Sequence, residues 1–490
     1  MKHLNKIVLV ALAATMFSCD QDFDNPVEDI KVTAGEADFQ KYIALGNSLT
    51  SGYRDNALYR SGQENSYPNM LAGLMKAAGG GEFTTPYMPN DTGGFTDLPG
   101  FPGKLSLQIV NGALTPVPSA PGAALDFLAD KGKFQNMGVP GAKSYHLVAP
   151  GYGDPAGLKK DTITANPYFV RFASNTSNSI VADAAKQEPT FFSLWIGNND
   201  VLGYATSGGT GVDHNETGNL VASKYKSNDI SNATVVAGAL EQIIATMTNS
   251  AKKPKGVIAN IPSVTSIPYF TTVPYNAITG LTDVQISGLN TAYAQYNGGL
   301  ALALKNNLIN QAEYEQRLIK PFTAGATQNA LVIIDKDLTN LSALGLNSYR
   351  QATSKDLITL TALPYIRQGY GTQIQMPDQY VLTEKETAKA EAAVTKYNAS
   401  IASLATKYNL ALVDAYSEMK KLSSSSGIKY YGQTYTTAFI SGGAFSLDGV
   451  HLTGTGYAIV ANMFADAINR KYQSTLRHVY PGNYPGIVIP

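Results

Sequence analysis

Five residues in this chain are of the types, and stand in the places, that nucleophilic catalysis on an ester requires. Ser48 follows an apolar run, residues 42–45, in "YIALGNSLTSGY", on a turn marked by Gly46. A serine hydroxyl attacks a carbonyl well only when a base takes its proton, and imidazole is the usual base. His451, in "DGVHLTGTGY", is the candidate base. Asp448, three residues earlier, can accept a hydrogen bond from the other ring nitrogen and support the imidazolium that forms. Attack builds negative charge on the carbonyl oxygen, which calls for fixed donors. The backbone amides of Ser48 and of Gly138, in "NMGVPGA", and the side-chain amide of Asn199, in "IGNND", would supply three. Taken singly, each residue is more often a helix cap, a tight-turn glycine or a strand-end asparagine than a catalytic group; all five in this order point to an acyl-transfer site.

Such residues need a frame, and the sequence proposes one. Short apolar runs at 42–45, 133–138, 190–197, 256–261 and 410–415 alternate with helical patterns starting near Ser66, Ser177, Ala233 and Glu384. That alternation predicts a five-stranded parallel sheet covered by helices on both faces, a three-layer α/β/α fold. In the third helical segment Val236, Leu240, Ile243, Ile244 and Met247 recur at helical spacing, a stripe for docking on the sheet. Ser48, Gly138, Asn199 and the Asp448–His451 pair all fall beyond carboxyl ends of strands, where open parallel sheets place their crevice. A last helix is expected after His451, capped by Thr453 or Thr455.

Composition sets limits. The chain has 490 residues, 44% hydrophobic and 15% charged, enough for a large core. Lys plus Arg and Asp plus Glu both number 37, and no basic cluster stands out, so nucleic acid is not an expected partner. "GNSLTSG" lacks the lysine of a phosphate-binding loop. His146, His214 and His478 show no ligand spacing, so no metal and no cofactor is expected.

The N-terminus reads as a processing signal: a basic start is followed by an apolar run, residues 7–17, too short to span a bilayer as a mature helix. Cys19, the single cysteine, follows in "MFSC", which resembles a bacterial lipobox and implies lipidation there. The expected organisation is a leader at 1–18, a flexible tether at 19–38, a catalytic domain at 39–475 and a tail at 476–490. The chain would then be a monomer of the cell envelope, held to a membrane, most simply the outer membrane, through Cys19.

The blocks "GNSLTSGY", "NMGVPGA", "GNND" and "DGVHLT" resemble, in order, those of the SGNH or GDSL-type hydrolases. The resemblance implies a flavodoxin-like sheet, Ser48 as nucleophile, Gly138 and Asn199 in the oxyanion hole, and Asp448 and His451 completing the triad. The family's aspartate before the nucleophile is Asn47 here, a change expected to alter the turn rather than abolish activity. A long insertion, about 270–383, is expected to form a cap or rim over the crevice. Leu202, Tyr204, Tyr269 and Phe270 are expected to line an acyl pocket. A lipid or glycan ester is the implied substrate; O-acetyl esterase, acyltransferase and a non-catalytic glycan- or lipid-binding lipoprotein are the alternatives.

Overall fold

The computed structural model describes residues 31–110, 112–159, 163–325 and 328–490. The leader, Cys19 and the first part of the tether lie outside these residues. Five strands form one sheet: β1 Tyr42–Gly46, β2 Asn136–Gly138, β3 Phe191–Trp195, β4 Lys255–Ala259 and β5 Ala411–Val413. They are all parallel, in the order β2-β1-β3-β4-β5, which is the flavodoxin-like order. The chain winds outward from β1 to β2 and then crosses back to β3. Between β1 and β3 the direction of winding reverses, and a crevice opens there at the carboxyl ends. Every residue of β1 and β3 is buried, so neither alternates polar with apolar.

The helices that matter for the site are α1 Tyr67–Lys76, α2 Ile180–Lys186, α3 Asn199–Thr206, α4 Ala233–Thr248, α5 Asp283–Lys305, α6 Glu384–Lys407, α7 Ala415–Leu422 and α8 Gly454–Tyr472. Helices α1 and α8 pack together on one face of the sheet; α2, α4 and α6 cover the other. The predicted stripe of α4 is its sheet-facing side: Val236, Leu240, Ile243, Ile244 and Met247 have no exposed surface. Burial of each such side chain contributes about 1.5–3 kcal/mol. Helix α6 starts on a capping box, in which the Thr383 hydroxyl and N–H both donate to Glu386 Oε2 at 2.9 Å.

Two boundaries differ from expectation. The tether does not run free to residue 38: the Glu36 N–H donates to the Tyr472 carbonyl at 2.7 Å, satisfying an end carbonyl that α8 cannot bond internally. Thr33 joins Thr475 by an N–H···Oγ1 bond of 2.8 Å, and Ala37 is buried. The tail from 476 is likewise strapped to the body: Leu476 and Pro481 are buried, and the Arg54 guanidinium donates to the carbonyls of Pro485 and Gly486.

The insertion is a folded body with apolar centres of its own, one around Leu331, Ile333, Ile358 and Met376 and another around Leu289, Tyr293 and Phe322. It reaches the loop of Asp448 and His451 where Leu360 lies beside Gly449. None of its described residues walls the cavity beside Ser48, so of the expected cap or rim it is a flanking body that touches the rim.

Candidate active site

Ser48 opens a single helical turn, Ser48–Ser51, at the end of β1. The turn can form because Gly46 has no side chain: a Cβ there would lie 2.1 Å from Thr50 Oγ1 and 2.5 Å from the Trp195 carbonyl. Asn47 caps it, its Oδ1 accepting the Leu49 N–H at 3.0 Å. The Asn47 amide also donates to Asn198 Oδ1 at 3.3 Å, joining the turn after β1 to the turn after β3. The aspartate that Asn47 replaces would have no hydrogen to give this oxygen.

His451 and Asp448 lie on a loop that closes on itself through a Ser446 N–H to His451 carbonyl bond of 2.8 Å. The three-residue spacing works because the Asp448 side chain organises its own loop. Its Oδ1 accepts the N–H groups of Val450 and His451 at 2.9 and 2.8 Å, which curls the imidazole back over the carboxylate. Oδ2 then meets His451 Nδ1 at 2.9 Å. Since a carboxylate only accepts, Nδ1 carries the proton, and Nε2 is left to accept from Ser48 Oγ at 2.9 Å. Burial alone would raise the Asp448 carboxyl, but the His451 ring and the two N–H groups outweigh it and hold the group well below the ordinary carboxylate range. The Tyr53 ring packs against the imidazole at 4.7 Å between centroids.

Of the expected oxyanion donors, two line the cavity with a hydrogen to spare and one does not. The Ser48 N–H has no acceptor among the described residues, as befits the first residue of a helical turn. Asn199, at the start of α3, lines the same cavity as Ser48, with one amide hydrogen on the Ala142 carbonyl at 3.0 Å. Gly138 is a correction. Its N–H donates to Asn136 Oδ1 at 3.1 Å, and its Cα is pressed against the back of the serine's turn, where a Cβ would sit 2.3 Å from the Ser51 nitrogen. It is a packing glycine. Gly141, three residues on, stands beside Ala142, and its N–H has no acceptor among the described residues. Two glycines three residues apart look alike in sequence; the Asn136 bond and the packing on Ser51 separate them.

The cavity at Ser48 is almost wholly apolar, walled by Leu202, Val264, Ile267, Met419, Phe445 and Met463 among others. Leu202 is placed where expected. Tyr204 and Phe270 are not: both are core residues, 2% exposed. Tyr269 turns away too, its hydroxyl 3.0 Å from Thr361 Oγ1. The walls that sequence reading missed come from α7 and α8, whose apolar residues at helical spacing resemble any core stripe. The available signal was Ala415, Met419 and Leu422 in a helix lying beyond the last strand. Among the described residues no group of His, Cys, Asp and Glu is arranged to hold a metal. A hydroxyl that donates to an imidazole, itself held by a carboxylate, is an activated nucleophile, here opening on an apolar chamber.

Residues 310–464 match the family described as GDSL-like lipase/acylhydrolase, a segment that holds Asp448 and His451. No curated relative matches the sequence. Among solved structures, a protein from Parabacteroides merdae described as a GDSL-like lipase is 10% identical, over 89% of this chain and 99% of its own, with a TM-score of 0.31. An extracellular lipase from Streptomyces rimosus is 10% identical over 87% and 98%, with a TM-score of 0.29. A family 3 carbohydrate esterase from Clostridium thermocellum is 13% identical over 45% and 61%, with a TM-score of 0.18. Similarities at these TM-scores add nothing to the fold or the chemistry described above.

Proposed function

We propose, for a chain that belongs to the GDSL-like lipase/acylhydrolase family and is a carboxylic ester hydrolase, that it works through an acyl-enzyme on Ser48. His451 Nε2 takes the Ser48 proton as Oγ adds to the ester carbonyl, and Asp448 holds the imidazolium that results. The Ser48 N–H, the free amide hydrogen of Asn199 and the Gly141 N–H receive the oxyanion. His451 then returns the proton to the departing alkoxide, and water, deprotonated by the same ring, releases the acid and restores Ser48. The observation that carries this reading is the unbroken chain of 2.9 Å hydrogen bonds from Ser48 through His451 to Asp448 at the mouth of the cavity. Hydrolysis of a short-chain nitrophenyl ester tests it: the parent protein turns it over, and S48A does not.

The apolar lining of the cavity favours an acyl chain over an acetyl group, and so a lipid-like ester over an acetylated glycan. An O-acetyl esterase would instead prefer acetyl to longer esters, an acyltransferase would make an ester when a sugar acceptor is supplied, and a binding module would be inert on all of them. The chain works at the cell envelope, anchored through lipidated Cys19; the basic start and apolar run before "MFSC" support this. Labelling cells with a clickable fatty acid should mark the protein, and C19S should remove the label and release the protein from membranes.

A further inference from the structure

The turn after the serine's helical segment contains two consecutive residues in the left-handed region, Asp55 at φ 52° and Asn56 at φ 60°. Aspartate and asparagine tolerate this region better than other side-chain-bearing residues, yet it remains costly for them. Arg54 and Ala57 close the turn with reciprocal N–H···O bonds of 3.2 and 3.1 Å. Such a conformation persists only where its surroundings over-determine it. Here the restraints converge on the Asp448 loop.

Asp55 is buried, and its carboxylate is fully engaged. Oδ1 accepts the Leu447 N–H at 3.0 Å; Oδ2 accepts the Tyr59 hydroxyl at 2.6 Å and Arg54 Nε at 2.9 Å. The Asp55 N–H donates to Ser446 Oγ at 2.9 Å, and Ser446 Oγ donates in turn to Asp448 Oδ1 at 3.2 Å. The Asn56 N–H goes directly to Asp448 Oδ2 at 2.9 Å, the oxygen that faces the His451 ring. Two residues preceding Asp448, and both of its oxygens, are therefore tied to one turn of the chain segment that also carries Ser48.

We propose that Asp55 is a positioning residue for the triad. Its buried carboxylate holds the left-handed turn against residues 446 and 447, so that the Asn56 N–H and Ser446 Oγ fix the plane of the Asp448 carboxylate beneath His451 Nδ1. Without it the turn relaxes, the Asn56 N–H leaves Oδ2, and the carboxylate swings away from the line joining it to the ring. The imidazolium formed during attack then loses support, although the cavity that binds the acyl chain is untouched. This rests on the triad reading above, since Asp55 touches no substrate and acts only through Asp448.

The test is steady-state kinetics of the full chain on a nitrophenyl ester, for D55A, D55N and S446A beside S48A, with folding followed by circular dichroism. D55A should lower kcat by about 10- to 100-fold with KM within about twofold, the size expected when a catalytic group is misplaced. D55N, which keeps an acceptor for Leu447, should lose less. In both, the acid limb of kcat/KM should move to lower pH, because a loosened carboxylate supports the imidazolium less. The double variant with S446A should lose less than the product of the single losses, both acting through Asp448. If D55A does not fold, D55N and S446A give the same readouts. Wild-type kcat and an unchanged pH profile in folded D55N and S446A, or a loss confined to KM, would overturn the proposal while leaving the triad intact. An active S48A would overturn both.

Discussion

Two buried charged clusters in this protein use similar parts for opposite ends. In the insertion, Arg350 lies between two carboxylates, with Nε on Asp335 at 2.6 Å and both Nη atoms on Asp356 at 2.7 Å. At the sheet edge, Asp448 holds His451, which holds Ser48. Both clusters are almost wholly shielded from solvent. Asp356 and Asp448 also respond alike: burial pushes each carboxyl up, and the partner, Arg350 or the His451 ring, with backbone N–H groups more than reverses it. The difference lies in the partner. Guanidinium does not release a proton in a protein, so the Arg350 cluster is closed and can only hold the insertion's segments at 335, 350 and 356 together. Imidazole gives up and regains one near neutral pH, and its free nitrogen points at a hydroxyl beside an open cavity. A buried ion cluster marks a functional site when one member can cycle and has somewhere to send the proton.

That contrast can be broken by experiment. The largest effect should come from S48A or H451A, each lowering kcat on a nitrophenyl ester by at least about 10⁴-fold, S48A at nearly unchanged stability; comparable turnover in folded protein would sink the functional half of the comparison. N199A should follow at about 10²- to 10³-fold in kcat. A normal rate in that variant would remove Asn199 from the oxyanion site. R350A should invert the pattern, costing about 3–5 kcal/mol in denaturant unfolding, because two carboxylates are left buried without their cation. Its folded fraction should keep the parent kcat, and a selective loss of activity there would mean that the insertion is coupled to the chemistry.

The smallest effect sharpens the role of buried titratable groups that do no chemistry. Burial first, and then the charge of Lys143, push His146 down to about 3. Its folded pKa lies below its unfolded value near 6.5, so its contribution is complete above about pH 6.5 and is lost as pH falls toward 3. Unfolding free energies measured at pH 7.5, 6 and 5 should therefore decline, by at most about 1.4 kcal/mol per pH unit from this group. H146N, which can still accept the Lys143 N–H, should flatten that slope. An identical slope would assign the decline to other groups.

The sheet was legible in the sequence because parallel strands buried on both faces are unbroken apolar runs, and "YIAL" and "TFFSLWIG" have few other readings. The placement of Ser48, Asn199, Asp448 and His451 followed from the rule that ligands gather at carboxyl ends of strands. Other features turned on contacts that spacing does not encode. Gly138 ends β2 against the serine's turn with its N–H on Asn136, whereas Gly141 lies beyond the strand at φ 79° with no acceptor among the described residues for its own. Met419 and Met463 look like core residues on their helices, and they are, except that the core has a hollow there. The link from Asn56 to Asp448 spans almost four hundred residues and runs through a backbone amide, which carries no side-chain signature.

The asparagine that caps the serine's turn also bears on how the protein ages. An asparagine followed by serine is prone to spontaneous deamidation, in which the next residue's backbone nitrogen closes on the side-chain carbonyl. Asn47 is buried, with that carbonyl held by Leu49 and its amide by Asn198, so the ring cannot close while the turn stays folded. Local opening would release it. The product would be an acid facing the Asn198 oxygen, and stored protein would gain a charge on the turn beside Ser48 before any change showed in its bulk secondary structure.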